Sequence, residues 1–189
     1  GNNYGAFEIP PSDRWFSKDD PMYPCNSPKV VENGAAHDSC WFMQSQSTLS
    51  HARYPFLRGD IKAVEAYCHT LDNINDTDTC MVGIARQIQA RYGADTVAII
   101  PACSSLTVDT NKMKCTADAA ESAYAFGAST SAFALCDASG DSKDTCYQAI
   151  AQRIPDTLYS SQQIALETCN TLPKKYVQQC KDGVQSAYK

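Results

Sequence analysis

The sequence lacks the features that mark a membrane span, a nucleic-acid binder or a common catalytic motif. No apolar run approaches the roughly 20 residues that a helix needs to cross a bilayer. The formal net charge is −5 and the pI is about 5.1, so the chain offers no basic excess to nucleic acid or anionic lipid. It also contains no G-x-S-x-G, no phosphate loop and no dinucleotide fingerprint. We therefore expect no transmembrane segment and no nucleic-acid partner.

Histidine is scarce, and the three in the chain are His37, His51 and His69. The first is predicted to lie in a loop before Cys40, and no H-x-x-x-H spacing supports a metal site. A copper or zinc site built from these histidines and Met43 stays open as an alternative. The simpler interpretation makes them surface or helix-capping residues. We expect no cofactor and no catalytic residue.

Cysteine is abundant, and its pattern is the main signal of the sequence. The chain has ten cysteines, an even count that is rare at this density in a reducing cytosol. No C-x-x-C occurs, so the sequence lacks the motif of a zinc ribbon, a thioredoxin-type redox site or a haem c attachment site. Disulfides in an oxidising compartment are the better explanation. We infer that the protein is secreted to the extracellular space or the periplasm, and that a signal peptide was removed.

The cysteines form consecutive pairs that define a repeat. From Cys68 onward, the first members of the pairs are separated by 35, 33 and 33 residues. A period near 34 residues is the size of a two-helix unit. Ten cysteines permit very many connectivities. Pairing the two cysteines within each repeat unit is a connectivity that treats every unit alike. The predicted bridges are Cys25–Cys40, Cys68–Cys80, Cys103–Cys115, Cys136–Cys146 and Cys169–Cys180.

Capping residues and apolar periodicity indicate a helix on each side of every cysteine pair. The first helices are predicted to be capped by a polar residue seven or eight positions before the first cysteine: Asp60, Asp95, Ser129 and Ser161. The second helices are predicted to start at the second cysteine, after the capping residues Thr77, Asp109 or Asp141. Apolar residues recur at helical spacing in both kinds of helix and are expected to face the core. They include Phe126, Ile164 and Tyr188.

Glycine and proline are expected to mark helix ends. Gly93 and Gly127 stand where a C-terminal cap uses glycine, and Pro155 interrupts the helix that follows Cys146 or marks its end. The predicted fold class is therefore all-α, with tandem disulfide-stapled helical hairpins. About four to five hairpins would form a single domain over residues 25–189, as a short α-solenoid or bundle.

Residues 1–24 depart from the repeat and are predicted to form an extended N-terminal arm. Prolines in this segment forbid a continuous helix, and its aromatic residues are too apolar for a free tail. The arm either covers one end of the array or docks onto a neighbouring subunit. Trp15, Trp41 and Phe42 are the aromatic residues expected to lie outside the core. The candidate partner-binding residues are Trp15, Phe16, Tyr23, Trp41 and Phe42.

Two polar features suggest a ligand or a modification. Residues 72–78 are rich in Asp and Asn and could hold Ca²⁺, but the loop lacks the glycine and terminal Glu of an EF-hand. Helix capping explains the same residues more simply, and the same holds for the acidic residues of segment 137–144. Asn75 opens the sequon Asn75-Asp76-Thr77 and is a candidate glycosylation site.

Two resemblances add to this interpretation. The cysteine-stapled hairpins resemble disulfide-rich Sel1-like repeat proteins, which implies a secreted αα-solenoid with one disulfide per repeat and a protein-binding role. The cysteine spacing here is longer, and the Gly- and Ala-rich Sel1 consensus is missing. Tyr23-Pro24-Cys25-Asn26, followed by the segment Cys40-Trp41-Phe42-Met43-Gln44 and repeated cysteine pairs, is similar to uncharacterised exported bacterial proteins with tandem cysteine-pair helices. That similarity covers residues 21–185 and implies no activity.

The predicted function is a non-enzymatic exported protein that acts as a binding or structural subunit of an extracellular or periplasmic assembly. The arm and the first unit, residues 1–57, would carry the contact with a protein partner. Two alternatives stay open. One is a secreted effector or inhibitor that binds a target protein, and the other is a secreted hydrolase with a cryptic site between hairpins that uses His37, His51 and an acidic residue.

Overall fold

The computed structural model describes residues 17, 20–32, 34–50, 59–157 and 161–188, and the structural statements that follow concern these residues. Their secondary structure is entirely helical, with turns between the helices and no strand in the described ranges. The all-α prediction is therefore confirmed.

The helices follow one another in pairs, and each pair corresponds to one predicted hairpin. A short 3₁₀ turn, Gly140–Ser142, precedes α8. The helices are α1 (Pro28–Val31), α2 (Gly34–Ser50), α3 (Ile61–Cys68), α4 (Ile74–Tyr92), α5 (Thr96–Ser104), α6 (Asp109–Ala125), α7 (Ser129–Ala138), α8 (Lys143–Thr157), α9 (Gln162–Cys169) and α10 (Lys174–Ala187).

Five disulfides close the hairpins, and all five predicted pairs are confirmed. The two Cα atoms of each bridge are 5.4–5.7 Å apart, the separation that a disulfide normally spans. Every bridge is buried. In four hairpins the first cysteine lies at or near the end of the first helix, as Cys68 does at the end of α3. In the first hairpin Cys25 instead lies in a series of turns over residues 21–26 that precedes α1.

The second helices begin earlier than predicted. α2, α4, α6 and α10 each start six residues before their cysteine, and α8 starts three before it. The bridging cysteine therefore lies in the second turn of most of these helices, where its side chain reaches back to the first helix. His37 is consequently part of α2 and not of a loop.

The predicted capping residues of the second helices are wrong for the same reason. Thr77 lies in the first turn of α4, where its hydroxyl donates to the carbonyl oxygens of Cys68 and Asn73. Asp109 is the first residue of α6, after Val108, and Asp141 lies in the 3₁₀ turn.

The capping residues of the first helices are nearly all confirmed. The carboxylates of Asp60 and Asp95 and the hydroxyl of Ser161 accept hydrogen bonds from backbone N–H groups in the first turns of α3, α5 and α9. Ser129 is off by one position, because it is the first residue of α7 and Ala128 occupies the cap.

The two glycines end helices as predicted, whereas the proline does not. Gly93 follows α4 with φ +62°, and Gly127 follows α6 with φ +85°, a region that side chains with a Cβ rarely adopt. The helix containing Pro155 continues to Thr157, so the proline neither interrupts nor ends α8. A proline in the last turn removes only one helical hydrogen bond.

The chain divides into two compact units, Gly1–Gln87 (unit one) and Ile88–Lys189 (unit two). The boundary lies inside α4, so this helix contributes to both. Unit one has an apolar interior that includes Val64 and Ile84. The single domain over 25–189 and the arm over 1–24 stay predictions.

Trp41 belongs to the interior of unit one, contrary to the sequence prediction. Its side chain is only 2% exposed. At a close approach to α2, a Cβ at Gly83 of α4 would come within 3.0 Å of the Ser45 hydroxyl and the Phe42 carbonyl. Only glycine fits this position without a shift of α2.

In unit two, consecutive hairpins pack side by side in chain order, and contacts link equivalent parts of neighbouring repeats. α6 packs on α8, and α8 packs on α10. The Ser122 hydroxyl donates to the Gln89 side chain, 33 residues earlier. Arg153 binds Glu121 across 32 residues, and the Tyr176 hydroxyl donates to Asp144 across the same separation. These separations match the cysteine period, so the repeat of the sequence is a repeat of the packing.

We predict that Gly83→Ala destabilises the protein, because the new methyl group has no space against α2. Overpacking of this kind costs about 1–3 kcal/mol, which corresponds to a loss of roughly 2–12 °C in melting temperature for a chain of this size. Thermal unfolding of the oxidised protein by circular dichroism measures the effect. Gly183→Ala, at an exposed position of α10, is the matched control and should be neutral or slightly stabilising. A Gly83→Ala variant as stable as the wild type would contradict the close approach.

Candidate functional site

The predicted partner-binding residues do not form one surface in the described part of unit one. Trp15 and Phe16 lie outside the described residues. Trp41 is buried, whereas Tyr23 and Phe42 are half-buried. The guanidinium of Arg86 lies 5.1 Å from the centre of the Phe42 ring. A partner contact by Tyr23 and Phe42 stays a prediction, whereas the Trp41 ring contributes to packing.

Gln44 holds the start of the described chain against α2. Its buried side-chain amide donates to the carbonyl oxygens of Pro21 and Tyr23, at 2.6 and 2.8 Å. The Asp20 carboxylate accepts from the backbone N–H of Met22 at 2.9 Å. Because one side-chain amide binds two carbonyl oxygens, it holds the turns over residues 21–26 in place.

The loop considered for Ca²⁺ is used for capping. The Asn73 side-chain oxygen accepts from the backbone N–H of Asn75 at 2.9 Å, and Asp76 is buried in the first turn of α4. Capping is thus confirmed at Asn73. Asn75 is exposed, while Thr77 of the same sequon is buried, and glycosylation stays a prediction.

The other candidate ligands are dispersed. In the described ranges no group of three or more His, Cys, Asp or Glu is arranged to hold a metal ion. The side chain of His37 and all of His51 fall outside the described residues. His69 caps the end of α3, with Nε2 3.8 Å from the Glu65 carboxylate, and Met43 is half-buried in α2.

A groove of about 270 Å³ runs between α6 and α8 in unit two. It lies below the 300–1,000 Å³ that is usual for small-molecule sites. The Glu121–Arg153 ion pair lies at the end nearer the C-termini of both helices. Its lining mixes acidic, basic, hydroxyl and small apolar side chains: Thr110, Lys114, Ala117, Asp118, Glu121, Ser142, Thr145, Cys146 and Ala149.

A second polar cluster joins α7, α8 and α10. The rings of Tyr147 and Tyr176 stack with centres 5.0 Å apart. The Tyr147 hydroxyl lies 3.1 Å from both the Phe133 carbonyl and the Asp137 carboxylate, and the Tyr176 hydroxyl donates to Asp144. These contacts tie neighbouring hairpins together, which is a structural role.

Ion pairs and burial shift the pKa values in this cluster. The hydrogen bond from Lys143, at 2.7 Å, is the main reason that the pKa of Asp137 is lowered. The Lys175 ammonium is the main cause of the lowered pKa of Asp144. Burial, followed by the hydrogen bond to Asp137, raises the pKa of Tyr147 to about 12. Both aspartates are therefore ionised and both tyrosines neutral at physiological pH.

A surface with two exposed apolar side chains and one charged residue lies at the end of unit two opposite the disulfides. We define the turn patch as residues 92–97 and 125–131, the α4–α5 and α6–α7 turns with their flanking residues. Val97 is 80% exposed and Phe126 is 68% exposed. The Ser131 hydroxyl donates to the Ala94 carbonyl at 2.9 Å, so the two turns lie side by side. Ile164 and Tyr188, at the same end of α9 and α10, are also partly exposed.

The sequence interpretation missed this surface because it counted Phe126, Ile164 and Tyr188 as core residues and did not consider Val97. Phe126 continues the apolar spacing of α6, but the helix ends at Ala125 and Gly127 turns the chain away. Ile164 likewise lies in the first turn of α9 and Tyr188 directly follows α10, so both are at helix ends and remain partly exposed. The glycine directly after Phe126 was the signal that could have placed it outside the core.

Comparison of the chain with protein-family models, with curated proteins and with solved structures finds no match. No helix in the described part of the chain is both long and apolar enough to cross a membrane. All ten cysteines are paired, which is consistent with an oxidising compartment.

We predict that acid weakens unit two through Asp137 and Asp144. Because their pKa values are lowered in the folded state, their stabilisation is complete above the unfolded value of about 3.9 and is lost as the pH falls through the folded values. The double variant Asp137→Asn, Asp144→Asn should melt lower than the wild type at pH 7. The two proteins should differ less at pH 2 than at pH 7, because the wild-type carboxylates take up protons as the pH falls.

Thermal unfolding at the two pH values measures both differences. Asp141→Asn removes a charge from the neighbouring, exposed position in the 3₁₀ turn and serves as the control. It should retain the wild-type difference between pH 7 and pH 2. If Asp141→Asn reduced the difference between pH 7 and pH 2 as much as the double variant does, net charge and not the two ion pairs would set the acid sensitivity.

Proposed function

We propose that this chain is a non-enzymatic exported protein that serves as a binding or structural subunit of an extracellular or periplasmic assembly. The turn patch is the observation that carries the proposal. Single exposed apolar side chains are common on any protein. Here two of them, Val97 and Phe126, lie on adjacent turns whose residues 92–97 and 125–131 contain one charged residue, Asp95. Depletion of charge around an exposed aromatic residue is the composition of an interface core.

The scaffold beneath the patch suits binding by a preformed surface. Both turns follow helices of disulfide-closed hairpins, and the Ser131–Ala94 hydrogen bond couples one turn to the other. A surface that is ordered before contact loses less conformational entropy on binding. Stacked helical hairpins commonly present such surfaces to protein partners. The resemblance to Sel1-like proteins points in the same direction.

The polar groups of unit two support a structural role. Asp137, Asp144 and Glu121 each bind a basic side chain, and two of these three ion pairs join neighbouring hairpins. Carboxylates used in this way stabilise the stack of hairpins. The buried disulfides support the exported location, because such bridges persist in oxidising compartments.

Native mass spectrometry of the protein isolated from its own source tests the proposal. We expect it in a complex of defined stoichiometry, with a mass well above the 20.6 kDa of the chain. The double variant Val97→Ser, Phe126→Ser should lose the complex at least tenfold, because burial of each side chain contributes about 1.5–3 kcal/mol. Ile74→Ser, at a 71% exposed position of unit one, is the control and should retain it.

A variant without residues 1–16 separates the contribution of the N-terminal segment from that of the patch. If this deletion alone removes the complex, Trp15 and Phe16 carry the contact as the sequence predicts. Isolation of the chain as a free monomer would contradict the proposed function.

A further inference from the structure

We propose that folding controls glycosylation of Asn75. The sequon accepts an N-linked glycan only before the hairpin of α3 and α4 closes, and the folded protein retains this glycan but does not acquire it. The inference concerns unit one and does not depend on the turn patch, so it goes beyond the proposed function. It rests on where the structure places the two sequon side chains that a glycosyltransferase has to reach, Asn75 and Thr77.

The two side chains lie on opposite sides of a helix. Asn75 and Thr77 are the second and fourth residues of α4. At 3.6 residues per turn, positions two apart are separated by roughly 200° around the helix axis. Asn75 is exposed, whereas Thr77 is only 8% exposed. A sequon that accepts a glycan normally lies in a surface loop, where one enzyme can contact both residues, and this segment is helical instead.

The Thr77 hydroxyl is engaged inside the hairpin. It donates to the carbonyl oxygens of Cys68 and Asn73, at 3.3 Å from each. Cys68 is the last residue of α3 and forms the bridge to Cys80, which follows Thr77 by three residues in α4. Closure of the disulfide therefore brings the end of α3 against the side of α4 that bears the sequon hydroxyl. Release of this hydroxyl requires the start of α4 to unwind.

The transfer reaction needs a hydroxyl that is accessible only in the open chain. In N-glycosylation the side-chain nitrogen of Asn75 forms a bond to the anomeric carbon of a sugar, and the bond from that carbon to a lipid diphosphate breaks. The electron pair of the broken bond stays on the diphosphate, and the amide nitrogen releases one proton. The enzyme recognises the sequon hydroxyl, which is why the third position is Ser or Thr. A buried Thr77 therefore blocks the reaction although Asn75 itself faces solvent.

A glycan attached before folding is compatible with the folded hairpin. Asn75 is exposed, and it is the backbone N–H of this residue that donates to the Asn73 side-chain oxygen, at 2.9 Å. The helix cap therefore does not use the Asn75 side-chain nitrogen that the sugar occupies. Ile74, the first residue of α4, is 71% exposed beside it. A bulky, polar glycan at position 75 would cover part of this apolar side chain.

Purified oligosaccharyltransferase with a lipid-linked oligosaccharide tests the full-length chain in two states. The reduced and alkylated chain should be modified at Asn75, because Asn75-Asp76-Thr77 is its only sequon. The oxidised, folded protein should be modified at least roughly tenfold more slowly, because the reaction then requires local opening of the hairpin. Peptide mass spectrometry measures both rates. Equal rates for the two forms would overturn the inference, as would a reduced chain that is not modified.

The substitution Asn75→Thr provides the matched control. It moves the sequon two residues toward the N-terminus, to the exposed Asn73 that precedes α4, with the new hydroxyl at the exposed position 75. Circular dichroism confirms that the oxidised variant folds, and it should accept a glycan at least roughly tenfold faster than the oxidised wild type. Refusal by the folded variant would overturn the role of Thr77 and with it the inference. If glycosylation fails while the native isolate contains the expected complex, the proposed function stands.

Discussion

The local disulfide within each hairpin is the constraint on which the other features of this structure depend. Except in the first hairpin, it joins the end of one helix to the first or second turn of the next, so it fixes how the two helices lie beside each other. By the chain-entropy estimate, closure of a loop of 10–15 residues contributes about 3 kcal/mol per bridge. Short helices such as α3, α5 and α9 are marginal in isolation, and the bridges hold them against their longer partners.

With the hairpins fixed, the two ends of unit two differ in character. The disulfide end contains polar loops and ion pairs such as Lys143–Asp137 and Lys175–Asp144. The opposite end contains glycine turns with Val97 and Phe126 outside. Because the disulfides constrain one end of each hairpin, the turns at the opposite end can vary in sequence without loss of the fold. Surface chemistry that serves a partner is therefore expected at the unstapled end.

The sequence predicts much of this fold because its main signals are local. Cysteine spacing identifies the hairpins and their bridges, since the repeat leaves one pairing that treats all units alike. Asp60 and Asp95 locate helix starts because the capping bond forms within four residues of chain. Pro155 was misread because a proline near a helix end costs one hydrogen bond, which packing in α8 outweighs.

The candidate site is less accessible to sequence reasoning because it depends on where helices end in space. Phe126 and Trp41 are both aromatic, yet one is exposed at a helix end and the other is buried in unit one. Hydrophobicity alone does not separate these two cases. The adjacency of the two turns rests on the Ser131–Ala94 bond, which joins residues 37 positions apart and has no counterpart in any local pattern.

The covalent topology of the chain has a consequence for its resistance to proteolysis. Each bridge closes a loop of its own, and none crosses from one hairpin to the next. The protein is thus one polypeptide chain with five small, separate disulfide loops. A protease that cuts between two of these loops separates the chain into two fragments, even when every disulfide is intact. Resistance to proteolysis therefore depends on the noncovalent packing of neighbouring hairpins. Contacts such as the hydrogen bond from Tyr176 to Asp144 stabilise this packing.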